Sequence, residues 1–264
     1  MGPVDLGWGS VAAASALILA NGVISLTLRL ELGRTLLIAS VRTVVQLTLL
    51  GYLLLPVFEA GNPWLVGALA VVMAAAAARA ALGRLERGYQ GVGWHALVAI
   101  AVGAVATLFV GVGVIVRPDP WWSPRYVLPL LGMILGNSLT GVTLGIDACL
   151  GRMQDGREAV ETRLACGATA WEAARPEVRG ALKTGMVPIL NSMTIVGLVS
   201  IPGMMTGQLL GGTPPELAAR YQILIMFLIA AATALGATTS TLLSARACFD
   251  DADRLRSERI SKRG

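Results

Sequence analysis

An arginine and a glutamine lie inside a long apolar run near the start of the chain. Arg42 and Gln46 are four residues apart, which places both on one face of a helix, with Gln46 deeper in the run. Polar groups within a membrane span are costly unless they face a bundle interior or a cavity, so this pair is a candidate for lining or bracing a substrate pathway. Arg42 also lies about one to two turns from the predicted end of the run, within reach of lipid headgroups. Both interpretations stay open.

Two later apolar runs carry small polar and amide side chains. Residues of this kind line a pathway or hydrogen-bond one helix to another, and helix packing is the commoner role. The candidates are Asn137, Ser138 and Thr140 in the first run and Asn191, Ser192 and Thr194 in the second. Three glycines beside the first set favour helix packing there: Gly132, Gly136 and Gly141.

The most unusual apolar stretch reads IPGMMTGQLLGG, residues 201–212. Pro202 followed by Gly203 is expected to break a helix at membrane depth, where a broken backbone is tolerated only if it is buried in protein or faces water. The pathway candidates here are Pro202, Met204, Met205 and Gln208. Thioethers suit Cu(I), whereas iron prefers oxygen or nitrogen donors, and methionine is more often a core filler, so these residues do not identify a metal.

No residue pattern in the chain indicates catalysis. A phosphate-binding loop requires G-x-x-x-x-G-K-[ST], but the Lys-Thr pair that begins at Lys183 has Leu182 and Glu177 where the glycines should stand. The single histidine, His95, has no evident partner and is expected to pack or to lie in the lipid interface. We therefore expect no catalytic residue, no cofactor and no ATP hydrolysis on this chain, and the sequence identifies no metal ligands.

Composition places these candidates in a membrane protein. Hydrophobic residues make up 55% of the 264 residues, charged residues 14%, and the mean hydropathy is +0.69. Most uncharged runs reach the roughly 20 residues that a helix needs to cross about 30 Å of hydrocarbon. We predict an all-α, polytopic fold in a single transmembrane domain, residues 1–264. Its seven spans would cover residues 5–29, 35–58, 63–78, 94–116, 126–146, 183–216 and 221–245, the sixth interrupted at Pro188 and Pro202.

Charge sets the expected orientation, because Lys and Arg in short loops stay on the cytoplasmic side. With the N-terminus outside and the C-terminus inside, most of the 21 basic residues fall in inner segments. These segments are residues 29–34 and 79–87, a coupling segment, 150–183, and a short cytoplasmic tail, 246–264. Aromatic residues mark the predicted outer boundary: Trp8, Trp64, Trp121, Trp122, Tyr126 and Tyr221.

The basic character of the chain also bears on its partners. A pI near 9.6 and a net charge of +5 are found in nucleic-acid binders, but here the basic residues are distributed as membrane topology requires. The lipid bilayer of the plasma, or inner, membrane is therefore the expected partner, and no nucleic acid is expected. The cysteines are predicted to be reduced and cytoplasmic: Cys149, Cys166 and Cys248.

The coupling segment is the longest charged part of the chain, and its turn signals are specific. We predict a helix over residues 157–166 that ends at Gly167. Thr169 and Glu172 form a T-x-x-E capping box, which begins a second helix. The predicted result is a set of short helices at the membrane surface.

Two residues further along the coupling segment are harder to interpret. Pro176 disfavours helical geometry at Arg175 and suits the first residue of a helix, so a third helix is expected to start at Pro176. Trp171 is a large ring among alanines. It either fills a groove on a partner protein or rests in the lipid interface.

The coupling segment resembles part of a known transporter family. Glu161 and Gly167 have the spacing of the EAA loop of ABC-transporter permeases, whose short coupling helix docks into the nucleotide-binding subunit. Thr162 and Arg163 replace the two alanines of that motif, and the Leu-Pro pair that follows its glycine is not at the usual distance. The resemblance and the local helix signals together predict six coupling residues: Glu161, Gly167, Thr169, Trp171, Glu172 and Arg175.

A longer resemblance covers about residues 35–237. Five stretches closely resemble, in order, the FetB-type permeases, a family associated with iron export and related to plant aluminium-tolerance transporter subunits. They are SVRTVVQLTLLGYLL (40–54), LGMILGNSLTG (131–141), RLACGATAWEAARP (163–176), NSMTIVGLVSIPGMMTGQLLGG (191–212) and ARYQILIMFLIAAATALGA (219–237). The resemblance implies a permease homodimer with two separate ATPase subunits, which bind ATP and Mg. It also implies export of iron or a related metal-linked substrate.

Two other classes of function fit the same apolar chain. One is a channel or secondary transporter that works alone, although no Asp or Glu lies in the interior of any predicted span to serve as a proton or cation relay. The other is a membrane scaffold without cargo, in which the polar residues serve only helix packing.

Overall fold

The computed structural model describes residues 7–30 and 32–262, and this part of the chain is almost entirely helical. Its α-helices are α1 (Trp8–Thr27), α2 (Gly33–Ala60), α3 (Pro63–Leu82), α4 (Val92–Leu108), α5 (Pro124–Asp155), α6 (Arg157–Ala165), α7 (Ala170–Ile195), α8 (Gly203–Leu210) and α9 (Pro215–Ala247). A π-helical segment, Phe109–Val116, continues α4. Two short strands, β1 (Arg87–Gly88) and β2 (Ser261–Lys262), pair antiparallel. The all-α prediction is confirmed.

Six of the described helices are long and apolar enough to cross a membrane: α1, α2, α3, α4 with its π-helical continuation, α5 and α9. They correspond to six of the seven predicted spans. The predicted start of the first span, Asp5, and the last residues of the tail, Arg263 and Gly264, lie outside the described residues.

The segment predicted as the sixth span is divided in the structure. Helix α7 ends at Ile195, an isolated bridge joins Val196 to Ser200, and α8 begins only after Pro202. The expected interruption at Pro188 is wrong, because Pro188 lies inside α7. A proline removes one backbone hydrogen bond, which a helix packed against neighbours tolerates. The count of seven spans is therefore not confirmed.

Helix α5 occupies the centre of the bundle and packs against α3, α4, α7 and α9. Glycines permit the closest approaches. A Cβ on Gly185 of α7 would lie 2.9 Å from the carbonyl oxygen of Gly141 on α5. A Cβ on Gly103 of α4 would lie 2.7 Å from the carbonyl oxygen of Ala232 on α9. Backbone therefore contacts backbone at both crossings, as small residues allow in membrane bundles.

Helices α1 and α2 stand largely apart from this bundle. Their buried residues are Ser25 in α1 and Val57 in α2. The two helices contact each other, and the Ser25 hydroxyl accepts a hydrogen bond from the Leu32 N–H at 3.1 Å. Most of both surfaces is thus available to lipid or to another protein.

Predicted inner segments and a predicted outer aromatic residue lie at opposite ends of the bundle. At one end, β1 pairs with the tail strand β2, and the Asp253 carboxylate accepts the Ala170 N–H at 3.5 Å. Three predicted inner segments therefore meet there. At the other end, the Trp122 Nε1–H donates to the carbonyl oxygen of Gly61 at 3.0 Å. Which end faces the cytoplasm stays a prediction.

The crossing of α4 and α9 provides a test of the packing. Gly103→Ala is expected to destabilise the protein by about 1–3 kcal/mol, because the new methyl group meets backbone rather than a flexible side chain. Gly67→Ala on α3 is the matched control, since Gly67 is exposed and nothing lies within 4 Å of its Cβ position, and it is expected to be neutral or stabilising by up to about 1 kcal/mol. Thermal unfolding of the purified protein in detergent measures both. Equal melting temperatures for the two variants would contradict the close crossing.

Candidate functional site

The coupling segment forms a tight helix-turn-helix from α6 and the start of α7. Helix α6 ends at Ala165, and Gly167 adopts a left-handed conformation with φ +91°, which glycine reaches without strain. The Gly167 N–H donates to the carbonyl oxygen of Leu164 at 2.9 Å. The predicted helix and its glycine terminator are both confirmed.

The capping box predicted at the start of α7 is also confirmed. The Thr169 hydroxyl accepts the Glu172 N–H at 3.3 Å, and the Glu172 carboxylate accepts the Thr169 N–H at 2.9 Å. The Thr169 N–H, and the Thr169 hydroxyl that donates to the same carboxylate at 2.9 Å, lower the pKa of Glu172. The first turn of α7 is therefore fixed by reciprocal bonds between these two residues.

The third helix expected at Pro176 is wrong, because α7 runs unbroken from Ala170 to Ile195 with Pro176 inside it. The bias against helical geometry before proline is a tendency, and here tertiary contacts outweigh it. Arg163 of α6 supplies such contacts at this point. Its Nη1 donates to the carbonyl oxygen of Ala173 at 2.7 Å and to the Glu177 carboxylate at 3.0 Å. Arg163 thus holds α6 against α7, a role that the sequence did not indicate.

All six predicted coupling residues are exposed on this helix pair, and three of them present large or charged side chains outside the capping box. Glu161 forms an ion pair with Arg157 at 2.7 Å on the surface of α6. Trp171 is 51% exposed, although Ala173 and Ala174 beside it are buried. Arg175 is exposed one turn further along α7. We call this surface of α6 and the first two turns of α7 the coupling platform.

The short tail folds against the bundle, which the sequence analysis missed. Phe249, Leu255 and Ile260 are buried in the same core as α5 and α7. Arg256 forms an ion pair with Asp250 at 3.0 Å. These three apolar residues within a charged segment were the available signal for a folded tail.

The loop between α3 and α4 ties the tail to the bundle. The Asp147 carboxylate accepts the N–H groups of Glu86 and Arg87, at 3.1 and 3.0 Å. The Tyr89 hydroxyl lies 2.6 Å from His95 Nδ1 and 3.2 Å from the Ser244 hydroxyl, and burial raises the pKa of Tyr89 to about 12. His95 therefore has a partner, contrary to the sequence analysis.

The predicted pathway residues do not converge on one enclosed site in this single chain. Arg42 and Gln46 are both exposed on α2. Asn137 is exposed on α5, where its side-chain amide donates to the carbonyl oxygen of Met133 at 2.8 Å, and Thr140 is half-buried.

The remaining pathway candidates lie around the interruption between α7 and α8. Asn191 and Ser192 are exposed on the last turns of α7, and the Ser192 hydroxyl donates to the carbonyl oxygen of Pro188 at 3.0 Å. Pro202 precedes α8, on which Met204, Met205 and Gln208 are half-buried. Gln208 Oε1 is buried and accepts no hydrogen bond from the described residues.

Over residues 7–30 and 32–262, no group of three or more His, Cys, Asp and Glu residues is arranged to hold a metal ion. The three cysteines are free thiols: Cys149 and Cys248 are buried, and Cys166 is exposed.

Comparisons with known proteins extend over almost the whole chain. A family model described as an uncharacterised protein family, UPF0014, matches residues 8–249. A UPF0014 membrane protein of Synechocystis is 38% identical over 95% of each chain. The protein ALUMINUM SENSITIVE 3 of Arabidopsis thaliana is 31% identical over 95% of this chain and 90% of its own. The Escherichia coli protein named probable iron export permease protein FetB is 28% identical over 96% of each chain.

No solved structure matches the chain. The family match and the relatives agree with a multi-pass membrane protein, the class that the six long apolar helices indicate. The chain belongs to the UPF0014 family of membrane proteins.

Proposed function

We propose that this chain is the membrane-spanning permease subunit of an ABC transporter that exports iron or a related metal-linked substrate. A separate ATPase subunit would bind ATP and Mg and drive the cycle. The chain itself would be neither an enzyme nor the holder of a cofactor. The observation that carries the proposal is the coupling platform, which presents Glu161, Trp171 and Arg175 on a helix pair fixed by a capping box and by Arg163.

The platform suits a docking role because it is rigid and partly apolar. Interfaces concentrate their energy in a few large or charged side chains, and tryptophan and arginine are over-represented among them. Trp171 supplies an exposed ring, and Arg175 an exposed cation on the same helix. Glu161 supplies an exposed carboxylate on α6. A partner that covers this surface would bury all three kinds of group together.

Helix α7 offers a direct mechanical route from the platform into the bundle. Its 26 residues rise about 39 Å without a break, from the capping box to Ile195. A displacement of Trp171 by the ATPase would therefore move the far end of α7, where Asn191 and Ser192 lie. This route depends on the continuity of α7 through Pro176.

The cargo is inferred from kinship rather than from donor atoms. The E. coli relative is named as a probable iron export permease, and that name supports iron as the transported ion. The polar groups near the interruption are amides, hydroxyls and thioethers, of which the thioethers are poor ligands for iron. We therefore propose iron, or a complex of it, as cargo that crosses beside these residues.

The exposed polar residues of the membrane helices support assembly as a homodimer. Asn137 on α5, and Asn191 and Ser192 on α7, face outward in the single chain. Amide groups in contact with lipid are unfavourable, whereas a facing helix or an aqueous pathway satisfies them. We propose that a second permease covers this face and that the pathway runs between the copies.

The stand-alone transporter and the cargo-free scaffold predict different results. A channel or secondary transporter would move its substrate in vesicles without any ATPase. A scaffold would move none under any condition. The proposed permease moves iron only when the ABC ATPase encoded nearest to its gene is reconstituted with it and ATP is supplied. Transport of metal ions from a panel, measured with and without that ATPase, separates the three.

Platform variants test coupling to the ATPase. Glu161→Lys and Trp171→Ala are each expected to lower ATPase co-purification, or permease-stimulated ATP turnover, at least about tenfold, because they reverse a charge or remove the main apolar contact. Membrane expression should stay normal, since both side chains are exposed. Trp94→Ala is the matched control: Trp94 is 67% exposed and lies on α4, outside the platform. Normal retention and stimulation with both platform variants would overturn the docking role.

Cysteine accessibility tests the pathway at the interruption. After replacement of the three native cysteines, single cysteines at Met204, Met205 and Gln208 are expected to react with a membrane-impermeant thiol reagent, because the proposed cavity is aqueous. Trapping the ATPase with nucleotide should change their reactivity. Phe227→Cys on α9, an exposed apolar position, is the control for lipid contact and should stay unreactive.

A proline variant supplies a second measurement at the same place. Pro202→Ala is expected to reduce transport while leaving stability equal or higher, since alanine restores an N–H donor and favours a longer helix. If cysteines at the three positions are inert in every nucleotide state and Pro202→Ala transports normally, the pathway does not pass α8. Arg42 and Gln46 then become the better candidates.

A further inference from the structure

A groove of about 580 Å³ lies beside the coupling platform, between the start of α7, the end of α9 and the first turn of the tail. Trp171 and Ala174 line it from α7, Leu242 and Ala245 from α9, and Phe249 and Asp253 from the tail. The groove thus joins a predicted coupling residue to a tail segment that the sequence analysis left without a role.

The floor and walls of the groove are apolar. Ala174, Ala245 and Phe249 are buried beneath it. Trp171 and Leu242 stand at its sides and are 51% and 39% exposed. An aliphatic chain laid along this floor would remove apolar surface from water on both sides of the contact.

The tail side of the groove is acidic. Asp250 is already engaged, because the N–H of Arg254, the N–H of Ala252 and the Arg256 guanidinium donate to it, and these bonds hold its pKa below the usual range. Asp251 and Asp253 are exposed.

The charges that line the groove are three aspartates and one arginine, Arg246. Asp253 accepts the Ala170 N–H at a long 3.5 Å, which leaves most of its acceptor capacity open. The groove therefore combines an apolar floor with a negative rim and an aromatic wall.

We propose that this groove receives an arginine or lysine side chain of the ATPase subunit. The methylene groups of such a side chain would cover the apolar floor, as amphipathic cations do. The cationic head would lie near Asp251 and Asp253, and the Trp171 ring would offer a cation–π contact. The inference rests on the proposed function and adds the folded tail to the docking surface.

The negative rim selects against other occupants. An acidic peptide or an anionic lipid headgroup would be repelled by the aspartates. Two basic residues of the tail are already engaged: Arg256 pairs with Asp250 and Glu258, and the Arg259 guanidinium donates to the carbonyl oxygens of Ala247 and Phe249. A basic side chain from a separate protein satisfies both the apolar floor and the negative rim.

The test compares variants in the affinity of the ABC ATPase encoded nearest to this gene for the permease held in lipid nanodiscs. Asp251→Asn with Asp253→Asn removes two charges and keeps the acceptor for the Ala170 N–H. We expect binding about tenfold weaker than wild type at low salt, and a shallower fall in affinity as salt rises. Glu258→Gln is the matched control, because it removes a charge from the same tail outside the groove, and it should bind like wild type.

A photo-crosslinking amino acid at Leu242 gives an independent readout of the occupant. It is expected to capture an ATPase segment that contains arginine or lysine, identified by mass spectrometry, and the double aspartate variant should reduce that capture. If wild type and the double variant show equal affinity and equal salt dependence, the groove does not receive a basic side chain of the ATPase. If Glu161→Lys still abolishes binding in that case, the proposed function stands without the groove. If the wild-type permease binds no ATPase, both the proposed function and the proposed role of the groove are wrong.

Discussion

The close approach of backbones at the glycine crossings is the constraint on which this structure depends. At the crossing of Gly185 and Gly141, α7 lies against α5 with too little room for a side chain. The same is true of α4 against α9 at Gly103. In a membrane, where lipid is as apolar as the helices, such contacts supply much of the force that holds helices together. They place α7 firmly in the bundle, although its first half carries the charged coupling platform.

Local chemistry made much of the architecture predictable. Long uncharged runs have few alternatives to a spanning helix, since the backbone must satisfy its own hydrogen bonds in hydrocarbon. The capping box of Thr169 and Glu172 and the terminator Gly167 also follow short-range rules, and the structure confirms them. In each case the partners lie within a few residues of one another.

The predictions that failed concern competition between local rules and distant contacts. Pro176 disfavours the helix locally, but Arg163 and the packing of α7 on the bundle hold it continuous. His95 pairs with Tyr89, which also reaches Ser244, 155 residues away in the chain. The tail folds because buried residues 249, 255 and 260 find a core formed by other helices. The apolar residues of the tail signal that it folds, but the sequence does not identify the residues that they pack against.

The features of the candidate site fall into the same two groups: those predictable from nearby sequence and those that depend on the folded structure. The exposed coupling residues were identified from a motif and its neighbours, whereas the acidic groove beside Trp171 required the folded tail. The polar residues of the spans were identified one by one, but only the structure separates them by orientation. Those on α2 and α7, and Asn137 of α5, face outward, whereas Ser138 of α5 is buried. Whether these faces meet a second copy depends on contacts that lie outside one chain, so no pattern within the chain specifies it.

The continuity of α7 and its end at Ile195 together suggest how motion at the platform would reach the membrane. A helix transmits displacement as far as its hydrogen-bonded backbone continues, and α7 continues from the capping box to Ile195. The next residues, 196–202, are not helical, and Leu198 and Val199 are strongly exposed there. Helix α8 then packs against α9 rather than following α7. Helix α7 also packs against α9, so in the proposed cycle a shift of α7 along α9 would change the distance between its polar last turns and α8. Under the proposed function, a continuous α7 on one side of the interruption and a separate short helix, α8, on the other would supply the two parts that alternating access requires of a gate.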